Sequence, residues 1–253
     1  MSLGLFDIAN PILLPLDDAL AKFLPPVARV IVVAALLTWL GMWLYRISSG
    51  QKHLRALKRL ARRGDRGLHD PNIEFNELLS RARRSIGLQM AILARVFVPS
   101  VLGMVPLLFG MSAVSSRYSH ALPDTESPRT WCVQPESAAA RVRLNGSAMT
   151  AGCVEVPWIP GFGARVQFDD TEVPHDLGKG ASNILHERLW WNLLIGNPGG
   201  YLPDGAGNTT LSVKHPDRPL VAFGPGWFRH WLFWFLVPSI VLGFYWRWRW
   251  KLV

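Results

Sequence analysis

Apolar residues of this chain fall into three blocks, and long polar stretches separate them. Each block is about as long as a helix needs to cross the hydrocarbon layer of a membrane, which takes about 20 residues. The second block has no charged residue from Val96 to Ser116, so that part can cross alone. Tryptophans cluster near the block edges, where spans meet lipid headgroups. The pattern predicts membrane-spanning helices at 27–45, 88–114 and 227–246.

The polar stretch at 46–87 predicts a basic helical hairpin. Cations of its first half alternate with Leu54, Leu57 and Leu60 at amphipathic spacing. Asp70-Pro71 then supplies an N-cap and a first-turn proline for a second helix. Three roles stay open for the cations: they set topology, they bind anionic lipid, or they contact ribosomal RNA or an unfolded client. These cations are Lys52, Arg55, Lys58, Arg59, Arg62 and Arg63.

Residues 115–226 predict a separate, mixed and partly β domain. The stretch is rich in Pro and Gly and alternates apolar with polar residues at 140–144 and 163–168. Asn145-Gly146, directly after the first of these, is a strong signal for a hairpin turn. Residues 182–195 carry apolar side chains at helical spacing before a Gly-Asn-Pro stop, and they predict a helix.

The two cysteines, Cys132 and Cys153, both lie in this domain. Their spacing matches no metal-binding pattern, and two cysteines in a domain outside the cytoplasm favour a disulfide. The Asn145-Gly146 turn between them is expected to bring antiparallel strands, and so the two cysteines, together. The alternative is a pair of unpaired buried thiols.

Charge predicts the orientation. From Arg46 to Arg95 the net charge is +8, from twelve Lys/Arg and four Asp/Glu, whereas Val114 to Gly226 carries nine basic and eleven acidic residues. Excess Lys/Arg marks the cytoplasmic side, so the hairpin and the basic tail at 247–253 are expected there. The N-terminal segment at 1–26, which lacks the basic start of a signal peptide, is then an extracytoplasmic segment along the membrane surface. A bacterial inner membrane is the expected location.

The sequence predicts no enzyme, cofactor or metal site. His186-Glu187 lacks the second histidine of a zinc protease motif, and Asp169-Asp170 is typical of a solvated acidic loop. Arg95 is a different case, because an ionisable residue at membrane depth is a candidate functional group. The alternative is that the membrane begins at Val96 and that Arg95 reaches to the headgroups. Arg46 at the end of the first span has the same two interpretations.

The order of elements resembles the Oxa1 superfamily of membrane protein insertases, especially its three-span branch related to the third subunit of the ER membrane protein complex and to TMCO-type proteins. The resemblance covers about 25–109 and 225–253, and it is one of topology. The residues that carry it are Tyr45-Arg46, the Arg-rich hairpin to Arg84, Pro99-Ser100, Val105-Pro106-Leu107 and Gly224-Pro225-Gly226-Trp227.

This resemblance implies a partly hydrophilic groove, open to cytoplasm and lipid, that helps a client helix to enter the bilayer. Arg95 or Arg46 would be its basic residue. Membrane lipids, a nascent or unfolded membrane protein, the ribosome and other membrane subunits are the implied partners. The long outer domain departs from the family and suggests an added binding or assembly role. An accessory subunit of a larger complex is the alternative, and it predicts an apolar, filled space between the first two spans.

Overall fold

The computed structural model describes residues 4–66, 74–123, 125–161, 163–177 and 182–252, and for 63–66 it describes the backbone alone. The chain forms two compact units. One, here called the β unit, comprises Met1–Ile31 and Phe109–Phe235, and the other, the helical unit, comprises Val32–Leu108 and Leu236–Val253.

Within the described residues, two helices are long and apolar enough to cross a membrane. They are α2 and α4, which contain the first two predicted spans, 27–45 and 88–114. The third predicted span overlaps α6, whose four tryptophans and two arginines lower its hydropathy, so this span stays a prediction. The helices are α1 (Asn10–Leu20), α2 (Pro26–Ser48), α3 (Gln51–Arg66), α4 (Phe75–Tyr118), α5 (Gly226–Arg229) and α6 (Trp231–Arg249).

The predicted boundary between the hairpin and the second span, at 87/88, falls inside one continuous helix. Helix α4 has 44 residues, or about 66 Å at 1.5 Å per residue, about twice the hydrocarbon thickness. Gly87 lies inside this helix, and a Cβ atom added there would have no other atom within 4 Å. A single glycine lowers the stability of a helix without ending it. The second arm of the hairpin and the second predicted span are therefore parts of one continuous helix. The predicted N-cap at Asp70-Pro71 lies outside the described residues.

The β unit contains two sheets, in line with the predicted partly β domain. The five-stranded sheet has the order β4-β1-β9-β7-β8, with β7 and β8 parallel, and the four-stranded sheet has the order β3-β2-β5-β6. Fully buried Trp131, Trp158, Leu185 and Leu211 lie in the core. The strands are β1 (Ser127–Gln134), β2 (Val142–Leu144), β3 (Ser147–Ala148), β4 (Cys153–Trp158), β5 (Val166–Phe168), β6 (Thr171–Glu172), β7 (Ile184–Glu187), β8 (Tyr201–Leu202) and β9 (Thr210–Val213).

The predicted disulfide is present, but the expected reason for it is wrong. Cys132 and Cys153 lie opposite each other on antiparallel β1 and β4, with their Cα atoms 4.1 Å apart. The Asn145-Gly146 turn does join β2 to β3, with the positive φ angles of 52° and 83° that such a turn requires. That hairpin belongs to the other sheet.

The predicted helix at 182–195 is also wrong. The first part is strand β7, in which Leu185 pairs with Leu211 of β9 and is fully buried. The second part is a short 3-10 helix, Trp190–Leu193. Sheet pairing outweighs helical spacing here, because a short apolar run fits either structure until its partners are known.

Candidate functional site

Helices α2 and α4 touch through their backbones in the helical unit. A Cβ atom added at Gly41 would lie 2.3 Å from the carbonyl oxygen of Gly103, so only glycine fits. Close approach at small residues is a common way for membrane helices to pack. The contact fixes the two helices against each other at one point.

Both glycines line a cavity of about 650 Å³. Its walls come from α2, α3, α4, α6 and the following Leu252, all in the helical unit. Most of the wall is apolar and includes Met42 and Met104, whose flexible thioether side chains adapt to irregular surfaces. The polar lining residues are Thr38, Tyr45, Lys58, Gln89, Ser100, Ser239 and Arg247.

The polar lining residues lie at different heights along the helices. On α6, Arg247 follows Ser239 by two turns, or about 12 Å, and on α4 Gln89 precedes Ser100 by three turns. The hydroxyl of Thr38 is buried and has no hydrogen-bond partner. A buried hydroxyl without a partner carries a free-energy cost. The cavity thus combines apolar walls with two cations and several hydroxyls.

The groove residues expected from the family resemblance lie elsewhere. Arg95 is exposed and is not among the residues that line the cavity. Arg46 is exposed as well, and its guanidinium lies 5.3 Å from the ring of Trp250. The lining cations are Lys58 and Arg247, which the sequence assigned to the basic hairpin and to the tail. No sequence signal places these two residues at one cavity, because α3 and α6 are far apart in the chain.

The other cations of the basic hairpin are solvent-accessible. Lys52, Arg55, Arg59 and Arg62 are exposed on α3, whereas Leu54 on the same helix is fully buried. Arg55 Nη2 donates to the carbonyl oxygen of Lys251 at 3.3 Å. The Arg63 side chain lies outside the described part of the chain. The exposed cations remain available for lipid, RNA or a client.

The β unit holds a buried ionic cluster around Asp17. Its carboxylate accepts from Arg29 Nη1 at 2.9 Å, from Arg117 Nε at 2.8 Å and from the Tyr118 hydroxyl at 2.8 Å. The cluster ties α1 to the start of α2 and the end of α4. Buried charges paired in this way are costly to unpair, so the N-terminal segment is firmly held.

A pair of histidines lies at the edge of the β core. The His215 ring is 6.4 Å from His120 and 4.5 Å from Trp158, measured between centroids. Burial lowers the pKa of His215 to about 4, and the nearby Arg129 and His120 act in the same direction. Burial also lowers the pKa of His120. Both rings are therefore neutral near pH 7.

Within the described residues, no group of three His, Cys, Asp or Glu side chains could hold a metal ion. No family model, curated protein or solved structure matches this chain.

Proposed function

We propose that this protein assists the insertion or assembly of membrane proteins, in the manner of the Oxa1 superfamily, and that the cavity of the helical unit receives the client. In this proposal α2, α4 and α6 cross the membrane, and the basic hairpin and tail are cytoplasmic. The observation that supports it best is the composition of the cavity. An accessory subunit would fill that space with apolar side chains, whereas here the space is open and its mostly apolar wall also carries two cations and several hydroxyls.

The proposed mechanism involves no covalent chemistry. A cavity of about 650 Å³ holds about one turn of a helix 10–12 Å across, so a client would enter segment by segment. Lys58 and Arg247 would keep water near the polar flank of the client. The hydroxyl of Ser100 would offer a hydrogen-bond partner deeper in the cavity. The cations and the hydroxyl would both reduce the free-energy cost of moving polar groups of the client into hydrocarbon.

A blocking substitution tests this proposal in reconstituted vesicles. Ser100→Trp places an indole in the cavity, and Val98→Trp places one on the exposed face of the same helix, where Val98 is 59% exposed. We expect Ser100→Trp to reduce client insertion severalfold and Val98→Trp to match the parent. Equal insertion by both variants would refute the cavity as the client site.

A second set of variants separates the candidate cations. Lys58→Gln and Arg247→Gln together should lower client insertion, while Arg95→Leu should leave it unchanged if Arg95 is an interfacial anchor. If Arg95→Leu lowers client insertion and the Lys58→Gln, Arg247→Gln double variant does not, Arg95 is the cation that the client needs, as the sequence predicted. Arg95→Lys should restore insertion in that case, because the need would be for positive charge rather than bidentate geometry.

The accessory-subunit alternative is favoured by one observation. Trp39 and Trp43 on α2 are stacked, with ring centroids 6.5 Å apart, and remain 41% and 42% exposed. Such a surface suits packing against a helix of another protein. Loss of a co-purifying subunit in a Trp39→Ala, Trp43→Ala double variant, with insertion by the isolated protein unchanged, would support this alternative.

A further inference from the structure

Two segments of the β unit have an inverted pattern of burial. In the 3-10 segment at 189–195, Asn192 is buried, while Trp190 is 79% and Leu193 is 62% exposed. The Asn192 side chain satisfies backbone groups: Oδ1 accepts from the Leu189 amide at 2.8 Å, and Nδ2 donates to the Ile195 carbonyl oxygen at 3.1 Å. The segment therefore turns its one uncharged polar side chain inward and its apolar side chains outward.

The N-terminal segment at 5–20 repeats this inversion. Asp7, Asn10 and Asp17 are 2%, 8% and 6% exposed, whereas Ile8 and Ile12 are 59% and 72% exposed. A water-facing helix shows the opposite arrangement, with apolar side chains against the core. Asp18 is an exception, since its side chain is 61% exposed and pairs with Arg117. Two such segments in one unit leave an apolar surface unburied, which is typical of a contact with lipid or with a partner.

Direct contacts join the two segments to each other and to the end of α4. The Phe6 amide donates to the Leu194 carbonyl oxygen at 3.0 Å, and the Gly196 amide donates to Asp7 Oδ2 at 3.1 Å. Ser112 of α4 donates to the other oxygen of Asp7. Both segments are thus fixed beside the last turns of α4, where the apolar stretch of that helix ends.

We propose that these segments form an apolar ledge that lies in the outer leaflet of the lipid bilayer. The ledge is defined by Leu5, Ile8, Ile12, Leu189, Trp190 and Leu193. Lipid is favoured over a protein partner because the ledge is anchored at the end of a membrane-spanning candidate, where Trp and aliphatic side chains commonly sit among headgroups and upper acyl chains. This inference rests on the proposed membrane embedding of α4 and assigns a lipid contact to the otherwise unexplained outer domain.

Spin labels on single introduced cysteines test the ledge in the full chain, reconstituted in phosphatidylcholine vesicles. Both native cysteines are in the disulfide, so an added one is the only thiol. Leu193→Cys reports the ledge, Val98→Cys reports the exposed face of α4, and Ser147→Cys reports the exposed β2–β3 turn. At each site, collision of the label with oxygen is compared with collision with a water-soluble nickel complex.

We expect oxygen collisions to exceed nickel collisions severalfold at 193 and 98, and the ratio to reverse at 147. A ratio at 193 that equals the ratio at 147 would overturn the ledge. Protection of 193 from both reagents would overturn it too, since that result indicates a protein partner. If the label at 98 also shows no excess of oxygen over nickel collisions, the proposed membrane embedding of α4 is wrong. If the label at 98 shows this excess and the label at 193 does not, only the ledge is wrong.

Discussion

The β core and the helical unit use the same kinds of side chain in opposite ways. Trp131 and Trp158 are completely buried between strands, but on α4 Phe97 is 63% and Val98 is 59% exposed. In the apolar stretches of α4 and α2, only 11% and 39% of the residues are buried. Burial of apolar surface stabilises a fold in water, and exposed surface on this scale needs a different solvent or a partner. The β core buries its large apolar side chains as a fold in water does, whereas the exposed apolar faces of α2 and α4 are suited to lipid.

Removing the disulfide should affect the β core most. The bond closes a 21-residue separation between β1 and β4, and loss of such a loop constraint costs about 3 kcal/mol in the chain-entropy model. Cys132→Ser combined with Cys153→Ser should therefore make the β unit unfold at lower temperature and become protease-sensitive, while the helices keep their circular dichroism. Thermal scans with and without reductant check this, since reductant should shift the parent and not the variant.

A side chain at the α2–α4 crossing should disturb the helical unit and leave the β core unchanged. Gly41→Val would place atoms against the Gly103 carbonyl, and forced overpacking costs about 1–3 kcal/mol. We expect reduced stability in detergent and loss of client insertion. Gly87→Val, on α4 with open space around it, is the matched control. If Gly41→Val were as stable as Gly87→Val, the close crossing would be refuted.

Acid should weaken the β core through His215. The pKa is about 4 in the folded chain and 6.5 ordinarily, so below pH 6.5 the unfolded chain binds the proton more readily. Stability is full above pH 6.5 and is lost as the pH falls towards 4. One pKa unit corresponds to about 1.4 kcal/mol, and partial exposure reduces the effect, so we expect a loss of about 1–2 kcal/mol.

The measurement for this prediction is the pH dependence of thermal unfolding of the β unit. His215→Phe keeps an aromatic contact with Trp158 and should make the profile less steep between pH 6.5 and 4, with a smaller dependence left from His120, whose pKa burial also lowers. His53→Gln, on the exposed face of α3, should leave the profile as in the parent. A parent profile that is flat across this window would contradict the assignment.

Local sequence signals predicted the local structure well. The first apolar block and its flanking prolines predicted a helix at 27–45, and α2 runs from Pro26 to Ser48. Asn145-Gly146 predicted the β2–β3 turn because few residues accept the required backbone angles. These features depend on neighbours in the chain, so the sequence alone could specify them.

Long-range features could not be predicted in the same way. The register that sets Cys132 opposite Cys153, and the pairing that makes a strand of 184–187, depend on β4 and β9. Lys58 and Arg247 line the same cavity, although their helices are far apart in sequence. Arg95 had the stronger local signal, a charge beside an apolar run, but its direction around α4 depends on how the helices pack.

Photocrosslinking in intact cell membranes tests the proposed function most directly. A photoreactive amino acid at position 100 lines the cavity, and one at position 98 lies on the exposed face of α4. We predict that position 100 captures newly synthesised membrane proteins in a translation-dependent manner and that position 98 does not. Capture at position 100 of one constant partner, or of nothing, with no dependence on translation, would contradict the client cavity and favour the accessory-subunit alternative.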